Sequence, residues 1–287
     1  RNLSLLTLAP TCMKLSKLNA LTNDFGKTNK MPILFMGHGT PMNAIEDNEF
    51  VQGWKSMIER IATPNAVLCI SAHWETRGTK VTAMDFPKTI HDFGGFPQAL
   101  FDVQYPAPGN LALAEETKKI VKSTNVVLDH DWGLDHGTWS VVKHLYPKAD
   151  IPVIQMSLDY NMSPQQHYNL AKELSILRSK GVLIIGSGNM VHNLRKLNFS
   201  KGSETAFGYD WALEANDKMK GFIATENHPQ LINFKTQGSA FDLAIPTPEH
   251  YLPLLYILGL QEKNETVDLY NDKTVSGSIS MTSLLIN

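Results

Sequence analysis

Cysteine is scarce in this chain, with only Cys12 and Cys69 among 287 residues. That scarcity excludes a disulfide framework and a sulfur-rich metal site, and it sets a reducing, cytoplasmic compartment as the expectation. Cys69 falls inside an apolar run, where a free thiol behaves as a small hydrophobe. No apolar run approaches the ~20 residues that span a bilayer, so no membrane segment is expected. Basic charge is not in excess: 26 Lys and Arg against 28 Asp and Glu give a net charge of −2, and composition offers no footprint for nucleic acid. A His-Glu-x-x-His pair and a Gly-x-Ser-x-Gly elbow are both missing. Gly186-Ser187-Gly188 has the wrong spacing for a dinucleotide fingerprint, and no acidic partner follows it at the right interval.

What is present is one pattern used three times. Residues 33–36, 66–70 and 182–185 are short apolar runs of the kind that form buried strands. Each soon delivers a histidine: His38 in Gly-His-Gly-Thr-Pro, His73 in Ser-Ala-His-Trp, and His192 in Gly-Ser-Gly-Asn-Met-Val-His-Asn. In an open α/β sheet, ligands collect beyond the carboxyl ends of the strands. The matched contexts therefore predict that His38, His73 and His192 share one site. His250, after Thr247-Pro248-Glu249, is the fourth candidate. Glu249 stays a rival ligand, because successive helical residues point ~100° apart; Pro253 raises the option that the helix starts there, with His250 in the loop before it. His136 in Asp135-His136-Gly137 reads as a proton donor or acceptor beside such a site. His91 is placed to reach a substrate from the segment that follows residue 86. His130, His144, His167 and His228 lack the glycine-rich or strand-end context and read as structural. Neutral imidazoles with at most one carboxylate suit zinc or iron.

Strands and helices alternate along the chain, which predicts an α/β fold, a single domain over residues 31–287 with a central, mostly parallel or mixed sheet flanked by helices. Helices are expected over 48–62, 111–123, 140–146, 163–180, 209–225 and 251–258, with two closing strands in 266–287. Residues 86–109 are rich in Pro, Gly and aromatics and read as an ordered loop covering a pocket, with Phe93, Phe96, Trp74 and Trp139 as candidate walls. Residues 1–30 read as a tail, in which Met13 is a candidate natural start; the leucines of 1–10 are too few and too interrupted for a signal sequence.

Seven segments together resemble the class III extradiol ring-cleavage dioxygenases, of the 4,5-DOPA dioxygenase extradiol type. They are GHGTPMN at 37–43, SAHWETRG at 71–78, IHDFGGFP at 90–97, YPAPG at 105–109, WGLDHGTW at 132–139, GSGNMVHNLR at 186–195 and PTPEHYLPLLYILG at 246–259. Each alone is weak; the ordered set is specific. The resemblance implies one divalent metal per chain at His38, His73, His192 and His250, with His136 assisting catalysis. Related enzymes use two histidines and a glutamate, a pattern that would keep His38 and His73, exchange His250 for Glu249 and leave His192 as the acid–base residue. Iron(II) is then expected for activity and zinc in the purified protein, with a DOPA-like catechol and O₂ as the substrates. Two other classes remain open on the sequence: a zinc hydrolase using metal-bound hydroxide, and a non-catalytic binding protein of the Memo type, which shares the fold family.

Overall fold

The computed structural model describes residues 30–202 and 205–287; the tail expected before residue 30 lies outside the described residues. Ten strands are numbered in chain order: β1 (Ile33–Gly37), β2 (Ala66–Thr76), β3 (Thr79–Thr82), β4 (Val126–Asp129), β5 (Val153–Asp159), β6 (Val182–Gly188), β7 (Val267–Tyr270), β8 (Thr274–Val275), β9 (Ile279–Ser280) and β10 (Ser283–Ile286). Eight of them form one sheet in the order β4-β3-β5-β2-β6-β1-β10-β7, and β8 and β9 form a separate hairpin. β5, β2, β6 and β1 run parallel in the middle, while β10 and β7 close one edge antiparallel. This is the single α/β domain with a mixed, mostly parallel sheet that the alternating pattern predicts.

The central strands are apolar without interruption because both faces are covered. Successive side chains point to opposite faces, so Ile33 and Phe35 of β1 enter one core while Leu34 and Met36 enter the other. Helices α1 (Glu49–Ile58), α2 (Leu111–Ile120), α3 (His136–Leu145), α4 (Pro164–Glu173), α5 (Asp210–Ala224) and α6 (Leu252–Leu260) supply the layers. Every residue of α6 is buried. A helix apolar all round must be enclosed, and α6 lies against α4 and β6.

Several boundaries differ from the sequence expectation. β1 and β6 continue through glycine to Gly37 and Gly188, past the end of their apolar runs. The glycines do not end these strands; they make room. A Cβ on Gly188 would lie 2.2 Å from the His250 carbonyl oxygen, and the Asn189 N–H donates to that same carbonyl at 2.8 Å. β2 extends to Thr76, so His73 sits inside a strand rather than beyond one. The pairing with β5 slips between Ile70 and Glu75, a bulge that re-aims this stretch. Helix α3 begins at His136, four residues earlier than expected, because the Asp135 carboxylate caps it by accepting from the Thr138 N–H at 3.1 Å. The helix expected over 163–180 breaks into α4 and a short turn, Ser175–Arg178. α6 starts at Leu252 with Pro253 in its first turn, which leaves His250 in the preceding loop.

Candidate metal centre

β1, β2 and β6 lie side by side, and their carboxyl ends open onto one cavity of about 470 Å³. His38, His73, His136, His192 and His250 all line it. His38 follows β1 directly, and its carbonyl accepts from the Asn43 amide at 2.9 Å, which ties down the turn. His73 projects from the bulged part of β2. His136 is the first residue of α3, and Gly137 behind it lets the ring of His73 approach; a Cβ there would lie 2.8 Å from His73 Cδ2 and 2.5 Å from Ser71 Oγ. His192 is fixed by its backbone, whose N–H donates to the Ala244 carbonyl at 2.9 Å.

The site falls into two adjacent groups. His38, His73 and His136 each offer a ligand atom within 4.8 Å of the others, and so do His192, Glu249 and His250. The His73 and His136 rings are 3.9 Å apart; His192 stacks on His250 at 3.5 Å with 10° between planes. The groups meet at His250, whose ring centre is 4.9 Å from His73 and 5.4 Å from His38. Thus the four rings proposed as ligands and the one proposed as their assistant share one cavity, with His136 nearer to His73 than any of the other three is.

Hydrogen bonds to three of the rings, His38, His136 and His250, fix which nitrogen faces the cavity. Ser187 Oγ donates to the Gly137 carbonyl at 2.6 Å, so its oxygen can only accept from His38 Nδ1, 2.9 Å away. His38 Nε2 therefore carries a lone pair. His136 gives two hydrogen bonds to one carboxylate: its backbone N–H to Asp92 Oδ1 and its Nδ1–H to Asp92 Oδ2, each at 2.9 Å. Asp92 Oδ2 also lies 3.5 Å from His73 Nδ1. His250 Nδ1–H donates to Glu249 Oε1 at 3.0 Å, and the Thr247 hydroxyl donates to that oxygen at 2.9 Å. Carboxylates behind imidazoles orient metal ligands and raise their basicity.

Burial keeps four of the rings, His38, His73, His192 and His250, neutral. It pushes His38 and His73 well below the ordinary histidine value, with the neighbouring rings adding to the effect. Burial, with the competing His250 ring adding to the effect, brings His192 down to about 3. His250 is lowered by burial against the opposing pull of Glu249. Burial would raise Glu249 and Asp92, yet the hydrogen bonds from His250 and His136 outweigh it; both carboxylates are held below their usual values, Glu249 at about 2. For His250 and Glu249 the outcome is a ring kept neutral by its burial and a carboxylate kept ionised by the hydrogen bonds it accepts. Beneath the site, burial raises Asp135 to about 6, against its hydrogen bonds from Ser71 and Gln155.

Neutral imidazoles flanked by carboxylates form a donor set for a borderline divalent ion such as zinc or iron. His38 Nε2 and His73 Nε2 stand 3.2 Å apart. Tetrahedral bonds of about 2.0–2.1 Å imply an edge of about 3.3 Å, so the pair fits a common ion.

Other sequence candidates stand elsewhere. His91 Nε2 donates to the Val103 carbonyl at 2.9 Å and packs on Trp139, outside the cavity wall. Trp74 stacks on Trp132, and Trp139 donates to the Ile90 carbonyl; of the four expected aromatic walls, Phe93 and Phe96 line the cavity. His144, His167 and His228 are held by Asn43, Tyr256 and Tyr168, in line with the structural reading. Asp92 escaped the sequence reading, although a lone carboxylate among aromatics and glycines in IHDFGGFP was the available signal.

With this geometry, the comparisons are specific. Residues 31–283 match the family model described as the catalytic LigB subunit of aromatic ring-opening dioxygenase. The chain is 43% identical over 264 residues to the Escherichia coli K12 4,5-DOPA dioxygenase extradiol, covering 90% of this chain and 96% of that protein. It is 34% identical to the Beta vulgaris protein of the same name, over 86% of this chain and 92% of that one. A crystal structure of an uncharacterized Escherichia coli K12 protein superposes with a TM-score of 0.77 at 38% identity, covering 90% of this chain and 100% of that chain. The chain therefore belongs to the LigB family of class III extradiol dioxygenases and is an aromatic ring-opening dioxygenase, a non-haem metal-dependent enzyme.

Proposed function

We propose that this enzyme opens the ring of a DOPA-like catechol outside its two hydroxyls, using O₂ and one divalent ion held by His38, His73, His192 and His250. The observation that carries the reading is the convergence of neutral, lone-pair-bearing imidazoles on one aromatic-walled cavity. Iron(II) bound there supplies the electron path between ring and O₂ that spin conservation denies to their direct reaction. His136 is the proton-handling group. Its Nδ1–H is committed to Asp92, so Nε2 is left to take a phenolic proton, and Asp92 steadies the imidazolium that forms. The same ring then returns that proton to the opening product. Phe93 and Phe96 from the covering segment keep water from the reacting ring. The compactness of the His38, His73 and His136 group favours a second assignment, in which His136 is a ligand and His192 handles the proton.

The test is O₂ uptake by protein loaded anaerobically with iron(II), with L-DOPA and simple catechols as substrates. Uptake with a yellow ring-opened product, abolished by a chelator, is expected. Metal turnover of an ester or amide without O₂ consumption would replace the reading with hydrolysis. His136→Ala that keeps one equivalent of metal and loses turnover supports the first assignment; loss of the metal supports the second.

A further inference from the structure

Beneath the histidines, outside the cavity lining, lies a fully buried layer of polar side chains. Ser71 on β2 and Ser187 on β6 are direct partners across the two strands. Each hydroxyl works in two directions. Ser187 Oγ accepts from His38 Nδ1–H at 2.9 Å and donates to the Gly137 carbonyl at 2.6 Å. Ser71 Oγ accepts from the His73 backbone N–H at 3.2 Å and donates to Asp135 Oδ1 at 2.7 Å. On one side of the serine pair stand two of the proposed ligands. On the other is the first turn of α3, which carries His136.

Asp135 is the centre of this layer. Its carboxylate takes three donors: the Ser71 hydroxyl and the Thr138 N–H on Oδ1, and the Gln155 amide on Oδ2. Gln155 cannot turn its amide round. Its Oε1 already accepts from the Asp135 N–H at 3.2 Å and from the Thr138 hydroxyl at 2.8 Å, so its NH₂ must face the carboxylate. A helix cap needs only the Thr138 bond. The other two run to strands, Ser71 on β2 and Gln155 on β5. Gln155 is paired with Cys69, just ahead of the slip that aims His73. A buried network with every member satisfied holds a single geometry.

We propose that Asp135 is a positioning residue for the metal centre. Through Ser71 it fixes the bulged stretch that aims His73, and through the cap it fixes His136, so the two rings keep their 3.9 Å separation. Its effect on turnover rests on the ring-opening reading; its effect on metal binding stands apart from that reading.

Asp135→Asn keeps the shape and removes one acceptor. Whichever way the new amide is turned, its NH₂ meets a donor, either the Gln155 amide or the Thr138 N–H. Adding Gln155→Glu supplies the missing acceptor at unchanged net charge, with the carboxylate now on β5. Zinc affinity is read by chelator competition, ligand geometry by the visible absorption of the cobalt(II) form, and turnover by O₂ uptake of the iron(II) form across pH. Asp135→Asn should lower zinc affinity and kcat about 10–100-fold. It should also alter the cobalt spectrum and shift the pH profile, with KM nearly unchanged. The double variant should recover most of the loss. Ser71→Ala, a smaller change, should move zinc affinity, spectrum and kcat in the same direction, and it carries the test if the first variant does not fold. A lower Tm with parental zinc affinity, cobalt spectrum and kcat, in Asp135→Asn or in Ser71→Ala, would overturn the proposal. So would a double variant as impaired as the single one, since the site would then need the carboxylate itself and not its bonds. If the parent protein opens no catechol, the ring-opening reading fails, while the zinc and cobalt measurements still decide the positioning role.

Discussion

Asp92→Asn isolates the geometry that the site depends on. The aspartate accepts two N–H groups of one residue, the backbone and Nδ1 of His136, both at 2.9 Å. Asparagine has the same shape but one acceptor and one donor. Oriented one way, its amide N–H faces the Nδ1–H and forces the ring to move its proton to Nε2. That nitrogen then enters the cavity as a donor and can neither ligate nor take a proton. Flipped the other way, the amide faces the His136 backbone N–H, leaving a buried donor unpaired at a cost of about 1–3 kcal/mol. Loss of an outer carboxylate behind a histidine typically lowers metal affinity or activity about 10–100-fold. The expected result is that fall in kcat/KM or metal affinity, with a shifted pH profile and a change of only a few degrees in Tm. The assays are chelator competition, O₂ uptake across pH, and thermal melting. A folded variant with parental metal affinity and turnover would refute the tautomer argument.

Gly137→Ala should cost more than tenfold in kcat/KM, because its Cβ would press on Ser71 Oγ and the His73 ring; the gain in helix propensity of about 1 kcal/mol offsets part of the strain, so parental activity at parental Tm would defeat the claim. The metal-free protein should lose stability as pH falls from about 6.5. The sign follows from four rings kept neutral in the fold, which the unfolded chain protonates below that value. His192, at about 3, contributes about 1.4 kcal/mol per pH unit across the window, and a Tm that is flat between pH 7 and 5 would contradict this. Arg178 is fully buried and donates to the Met31 and Leu260 carbonyls at 2.8 and 3.0 Å and to Glu265. Arg178→Met should cost about 3 kcal/mol in urea unfolding; a loss under 1 kcal/mol would mean that Lys30 and water satisfy Glu265 and the carbonyls.

Much of this was legible in the chain. Apolar runs each followed within a few residues by a histidine located β1, β2 and β6, and those histidines do meet at one cavity. Strand extents were misread, since Gly186 and Gly188 break the apolar signal without breaking the strand; the residues they admit, Pro253 and His250, lie far along the chain. His73 inside β2 was equally hidden, because a bulge is a mismatch between two strands and leaves no periodic trace in either. The start of α3 was legible in principle, as Asp135 is a capping residue, but the polar loop before it masked the helical spacing. The pairing of Asp92 with His136, separated by 44 residues, belongs to tertiary structure alone.

The strand order has a consequence for how the enzyme comes into being. β1 lies beside β6, with Ile33 opposite Ile184, so the pocket's first histidine and its fourth meet only when distant parts of the chain pair. Neither part holds all four of the proposed ligands: one supplies His38 and His73, the other His192 and His250. Such long-range parallel pairing is slow to form, because the intervening chain must be ordered before the contact rewards it. Metal capture at the proposed four-histidine site would thus be a late event on the folding path, and a fragment ending before β6 would carry half of that site.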